Sequence, residues 1–201
     1  MTTSKTTEIQ EAIILHFGDL LSKMSDDEFF DFCQRNDDWH IERTSSGDLI
    51  IMPPTGGETG NLNFDLITVF GQWCKADGTG KGFDSSTGFH LPNGADRSPD
   101  LAWVRMDRWS ALTKEQRQKF PPLAPDFVVE ILSQSDALDA IQEKLQEYVD
   151  NGVRLGWLLD PKNRTVYIYR PGEAFETLVD PESIEGGSIL PGFVLNLADV
   201  W

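Results

Sequence analysis

The run Phe127-Val128-Val129-Glu130-Ile131-Leu132 confines what this chain can fold into. It is apolar on both alternating faces except for one carboxylate, so it reads as a strand buried from two sides, the centre of a sheet with helices packed over it. With 201 residues the chain is long enough to build such a core. Hydrophobic residues at 39% and charged residues at 25% describe a globular domain and exclude a disordered or fibrous one. No apolar run approaches the ~20 residues of a bilayer-spanning helix, so no membrane partner is expected.

Helix and strand signals follow one another along the chain. Ser25 with Glu28 three residues on is a capping box that opens a helix carrying Phe29, Phe30, Phe32 and Cys33, and Asn36 to Asp38 ends it. Trp39 to Thr44 and Asp48 to Met52 read as a β-hairpin turning at Ser46-Gly47. Leu62, Leu66, Val69, Phe70 and Trp73 mark one face of a helix from Glu58 to Lys75, with Thr55 or Thr59 as its cap. Phe83 to Leu91 and Leu101 to Arg105 read as strands, and Ala111 to Phe120 as a charged helical insertion. Ala137 to Asn151 forms a helix stopped by Gly152, and Leu155 to Leu159 and Val166 to Tyr169 are strands. Met1 to Glu8 is a loose tail with room for a short helix before residue 25, and 25–201 is one α/β (α+β) domain.

Acidic residues outnumber basic ones, 33 to 17, for a net charge of −16. Such a surface repels phosphate backbones and disfavours non-specific nucleic-acid binding, while metal cations and basic partners gain from it. Cys33 and Cys74 lack the spacing of a disulfide framework or zinc site, and the polar start Met1 to Glu11 is not a secretory signal, so a cytoplasmic location is expected. His16, His40 and His90 are scattered, and Gly56 to Gly60 lacks the lysine of a Walker loop.

Glu130 is the anomaly, because a carboxylate amid apolar strand neighbours is costly unless paired, hydrogen-bonded or bound to a metal. Asp100 opens the preceding core strand after Pro99. If the two strands are neighbours, their carboxylates converge and supply the oxygen ligands that Mg2+ or Mn2+ prefers; taken alone, Asp100 is equally a turn residue. Lys144, on the helix after the Glu130 strand, either leans over the strand ends toward these acids or forms a solvated pair with Glu147. Gln142 flanks the other side of the apolar stripe.

Arg97-Ser98-Pro99-Asp100, Ala124-Pro125-Asp126-Phe127-Val128-Val129-Glu130-Ile131-Leu132-Ser133, Gln142 to Tyr148 and Gly156-Trp157-Leu158-Leu159-Asp160-Pro161 together resemble the bacterial Uma family of restriction endonuclease-like proteins. The resemblance runs from about Leu49 to Pro171 and includes Gly56 to Asn61 and Phe83 to Phe89. It implies a PD-(D/E)xK fold, a mixed β-sheet flanked by helices with an N-terminal helical and hairpin extension, and a Mg2+- or Mn2+-dependent endonuclease acting on DNA. Asp100 and Glu130 match the motif acids as metal ligands, with the Ile131 carbonyl beside them. Leu132 stands where the motif lysine belongs, so Lys144 takes that role from the helix. Glu58 resembles the extra helix acid of such nucleases, and Gln142 a residue that orients water or phosphate. Ser133-Gln134-Ser135 replaces the family's usual Ser-Pro-Ser.

A second class of function stands beside the nuclease: a catalytically silent interaction module on the same scaffold, and a homodimer is expected in either case. The two differ in where Arg43, Lys75, Lys81, Arg97, Arg105 and Lys144 lie, since a DNA channel requires them on the side of the acids.

Overall fold

The computed structural model describes residues 12–17 and 24–201. Strand β1 (Ile13–Leu15) and helix α1 (Asp26–Arg35) precede the hairpin of β2 (His40–Arg43) and β3 (Leu49–Met52). Helix α2 (Gly57–Asp77) leads to β4 (Gly80–Asp84), β5 (Phe89–His90), β6 (Asp96–Arg97) and β7 (Leu101–Arg105). Helices α3 (Met106–Ala111) and α4 (Lys114–Gln118) come before β8 (Phe127–Ile131), α5 (Leu138–Asp150), β9 (Leu155–Asp160) and β10 (Thr165–Tyr169). Strands β11 (Glu176–Val179), β12 (Ser183–Glu185) and β13 (Val194–Asn196) follow.

The central sheet has the order β11-β10-β9-β8-β7-β4. Its β8 and β9 are parallel, and every other neighbouring pair is antiparallel. A parallel pair needs a crossover, so α5 must run back across one face of the sheet. Alternation along β8 then sorts its side chains. Phe127, Val129 and Ile131 join Leu66 and Phe70 of α2, whereas Val128 joins Leu145 and Tyr148 of α5. The sheet is therefore mixed and covered by α2 on one face and α5 on the other, as its near-continuous apolar strand requires. All five β8 side chains are buried.

Gly156 in β9 explains how closely α5 sits. A Cβ there would lie 2.8 Å from Leu145 Cδ1, so the absence of a side chain lets the helix rest directly on the strand. A second sheet, β1-β3-β2-β6-β5, folds α1 against its own small core of Phe29, Ile41 and Leu49. The Ser25–Glu28 capping box is formed in full.

Four details differ from the sequence reading. The stretch 83–91 is split, because Asp84 accepts from the Ser86 N–H and closes a turn that sends Phe89 and His90 into the second sheet. Helix α2 begins at the N-cap Gly56 without a threonine cap. The 111–120 insertion is two short helices, the first starting earlier, at Met106. The tail Met1 to Glu8 lies outside the described residues, and Ile13–Leu15 after it pairs with β3 as a strand where a short helix was expected. No described helix is long and apolar enough to cross a membrane.

Candidate active site

Glu130 shares the parity of Val128, so its side chain faces α5. Strands β7 and β8 pair Leu101 with Val129 and Ala102 with Val128, and one further step of that register sets Asp100 across from Glu130. The Ile131 N–H, free at this point of the ladder, donates to Asp100 Oδ2 at 2.8 Å. Asn63 of α2 donates through Nδ2 to Asp100 Oδ1 at 3.3 Å, a long bond.

Lys144 projects from α5 onto the same spot. Its Nζ stands 2.9 Å from Glu130 Oε1 and 2.9 Å from Glu42 Oε1. Tyr148, one helical turn on, donates its hydroxyl to Glu130 Oε1 at 3.1 Å. The Lys144–Glu147 pair is not formed; Glu147 instead accepts from Arg97 Nε at 2.6 Å. Asp100, Glu130 and Lys144 are therefore gathered at one end of β7 and β8.

Glu42, on β2, escaped the sequence reading. It is 2% exposed and accepts from Lys144, from Arg97 Nη1 at 3.0 Å and from the Ser98 N–H at 2.9 Å. One carboxylate thus ties the hairpin to Lys144 of α5 and to the two residues that lead into Pro99-Asp100. Its only sequence signal is an acid beside Ile41 in a hairpin strand, which reads equally well as a solvent-facing position.

Charges are unevenly matched. Burial opposes ionisation of Glu42, but Lys144, Arg97 and the Ser98 N–H outweigh it and hold the pKa down at about 2. Burial pushes Glu130 up to about 8, with Lys144 opposing and Asp100 and Glu42 adding to the rise. Asp100 is also raised by burial, against the Ile131 N–H. Burial disfavours the Lys144 cation, yet Glu130 and Glu42 keep it above the ordinary lysine value. The ammonium is a fixed positive charge, while Glu130 and Asp100 beside it ionise less readily than ordinary carboxylates.

Two expected residues do not join this group. Glu58 is exposed in the first turn of α2, beside a cavity of about 460 Å³ lined also by Asn61, Ala198, Val200 and Trp201. Gln142 faces a groove with Tyr169 and Phe175 and makes no hydrogen bond to the acids. Two positions of helix rotate a side chain by about 200°, so Gln142 and Lys144 look in opposite directions. Among the described residues, no three His, Cys, Asp or Glu side chains are arranged to hold a metal ion.

The expected cations do not form a channel on the acids' side. Arg43 is buried against Asp96 and Asp26, Arg97 against Glu42 and Glu147, and Arg105 pairs with Asp107. Lys81 and Arg105 lie at the far end of β4 and β7 from Asp100, a strand length of ~15 Å, and Lys75 ends α2.

The donors at the acid cluster are hard oxygens: the carboxylates of Asp100 and Glu130 and the Ile131 carbonyl. Glu130 Oε2 takes no hydrogen bond from the described residues, and a dication beside it would favour the ionised carboxylate that burial disfavours. The set fits Mg2+ or Mn2+, which bind through one or two carboxylates and keep several waters.

A family model described as "Putative restriction endonuclease", Uma2, matches residues 26–198. Among solved structures the chain is similar to the crystal structure of a "putative nuclease belonging to DUF820" from Anabaena variabilis ATCC 29413, with a TM-score of 0.68 and 21% identity, covering 80% of this chain and 88% of that one. No curated protein matches the chain. At that identity the solved structure bears on the fold alone, a mixed sheet with flanking helices.

Proposed function

The chain belongs to the Uma2 family, described as "Putative restriction endonuclease", and from that premise we propose that it is a divalent-cation-dependent endonuclease hydrolysing phosphodiester bonds in DNA. The observation that carries this reading is Lys144 Nζ at 2.9 Å from Glu130 Oε1, an amine supplied from α5 where the strand itself offers only Leu132. Asp100, Glu130 and the Ile131 carbonyl would hold Mg2+ or Mn2+. When bound, the cation supplies Lewis-acid stabilisation of charge developing at phosphorus.

The chain's own residues do the remaining work. The Ile131 N–H fixes Asp100 Oδ2, leaving its other oxygen directed by a weak amide bond and open to a stronger partner. Tyr148 and Lys144 both occupy Glu130 Oε1, so Oε2 is the oxygen left for a ligand. Lys144, kept charged by two carboxylates, serves as a preorganised positive charge beside the phosphate; it does not act as a base. Glu42 is a positioning residue that holds the ammonium in place. Glu58 and Gln142 have no part in this mechanism.

A second reading, a catalytically silent interaction module acting as a dimer, is favoured by the burial of Arg43 and Arg97 in ion pairs and by the net charge of −16. Plasmid nicking in Mg2+ or Mn2+ separates the two. The native protein is expected to nick, and Asp100→Asn, Glu130→Gln and Lys144→Met are expected to lose at least 100-fold in rate, the order typical of removing one electrostatic group from such a site. Native protein that is folded, dimeric and inactive in both metals selects the silent module.

A further inference from the structure

Asn63 makes one weak hydrogen bond and leaves its other polar atom stranded. Its Nδ2 reaches Asp100 Oδ1 at 3.3 Å, while its Oδ1 is buried with no hydrogen-bond partner. The carboxylate fixes the orientation of the amide, since an oxygen turned toward Asp100 would meet another acceptor. A stranded carbonyl oxygen costs free energy when it is kept from water, and such atoms call for a specific explanation.

Helix α2 places Asn63 at the end of the sheet where Asp100 and Glu130 meet, five positions beyond the exposed Glu58. Its neighbours on that helix, Asn61 and Asp65, are occupied with one another. Asn63 is thus tied from α2 to the acid cluster through Nδ2, and the same amide carries an unpartnered neutral hard oxygen. Amide carbonyls are regular ligands of hard dications alongside carboxylates. Resting on the nuclease reading above, we propose that Asn63 is a metal ligand of this centre, its Oδ1 completing the oxygen set of Asp100, Glu130 and Ile131.

Mn2+ binding, followed by calorimetry and by the Mn2+ electron paramagnetic resonance signal, tests this without any turnover. Asn63→Leu keeps the volume and removes the oxygen; it is expected to weaken Mn2+ at least 10-fold while the metal-free protein melts no lower than the native one, because a stranded polar atom has been removed. Asn63→Asp is expected to lower the metal-free melting temperature through repulsion with Asp100 and yet to gain a larger Mn2+-induced rise than the native protein. A role confined to supporting Asp100 gives the opposite signs: a less stable Leu variant, and no extra Mn2+ stabilisation of the Asp variant. Asp100→Asn is the reference. If it abolishes Mn2+ binding while Asn63→Leu binds as the native protein does, the assignment of Asn63 falls and the nuclease centre stands. If the native protein takes up no Mn2+, both fall.

Discussion

The Lys144 ammonium lies 2.9 Å from Glu42 Oε1, an ion pair that joins the crossover helix α5 to the hairpin strand β2 across two different sheets. Glu42 also holds Arg97 and the Ser98 N–H, so a single buried side chain sets both the amine and the backbone entering Asp100. Removing one partner of such a cluster leaves the others charged and dry, which costs far more than a surface pair.

Glu42→Gln therefore tests the hub through pH. The folded pKa of about 2 lies below the ordinary 4.5, so the stabilisation from ionised Glu42 is complete above pH 4.5 and disappears as pH falls through about 2. The shift corresponds to on the order of 3 kcal/mol. Urea denaturation is expected to show the variant less stable than the native protein at pH 6, with the gap closing toward pH 2. A gap that is constant with pH would mean that Glu42 contributes packing and no charge.

How much of this was legible in the sequence depends on where each residue's partners lie along the chain. Phe127 to Ile131 and α5 could be read because their burial is written in their own neighbours, two-sided for the strand and periodic for the helix. Glu130 stood out against such a background, and its carboxylate, with Asp100 and Lys144, was placed by the order strand, strand, helix. Glu42 could not be recognised, because what buries it, Arg97, Ser98 and Lys144, lies 55 to 102 positions away while its own strand alternates as an ordinary half-exposed hairpin. Glu58 and Gln142 are a different case: the resemblance alone gives them their roles, and neither side chain is hydrogen-bonded to the acids among the described residues.

His90 makes a second pH-dependent tie, on the side chains of Asp96 and Asp26. Its Nδ1 meets Asp96 at 3.0 Å and its Nε2 meets Asp26 of α1 at 3.3 Å, with Arg43 nearby opposing its charge. The hydrogen bond to Asp96 raises its pKa above 6.5, so the stabilisation is fully present below pH 6.5 and is lost as pH rises through the higher folded value. Thermal melts from pH 5.5 to 8.5 should show native stability declining over that interval and His90→Gln showing a flatter profile. Amide exchange in α1 is expected to quicken over the same range, since Asp26 is the helix's link to His90. Parallel pH profiles in the two proteins would remove His90 from the account.

Gly156 couples the packing of the sheet to the placement of the lysine. A Cβ at this position would stand 2.8 Å from Leu145 Cδ1 and 3.6 Å from both Tyr169 Cβ and Val128 Cγ2, and Leu145 is fully buried with little room to turn away. Gly156→Val must push α5 outward or force strained rotamers, at about 1–3 kcal/mol. Lys144 precedes Leu145, so an outward shift of the helix draws the ammonium away from Glu130, and a displacement of about 1 Å suffices to cost ~100-fold in rate at a site that depends on position. Nicking by the folded fraction of Gly156→Val is therefore expected to fall further than its loss of stability accounts for, with Gly156→Ala intermediate in both. Full activity in a destabilised Gly156→Val protein would show that Leu145 repacks in place and that the lysine's position does not depend on this glycine.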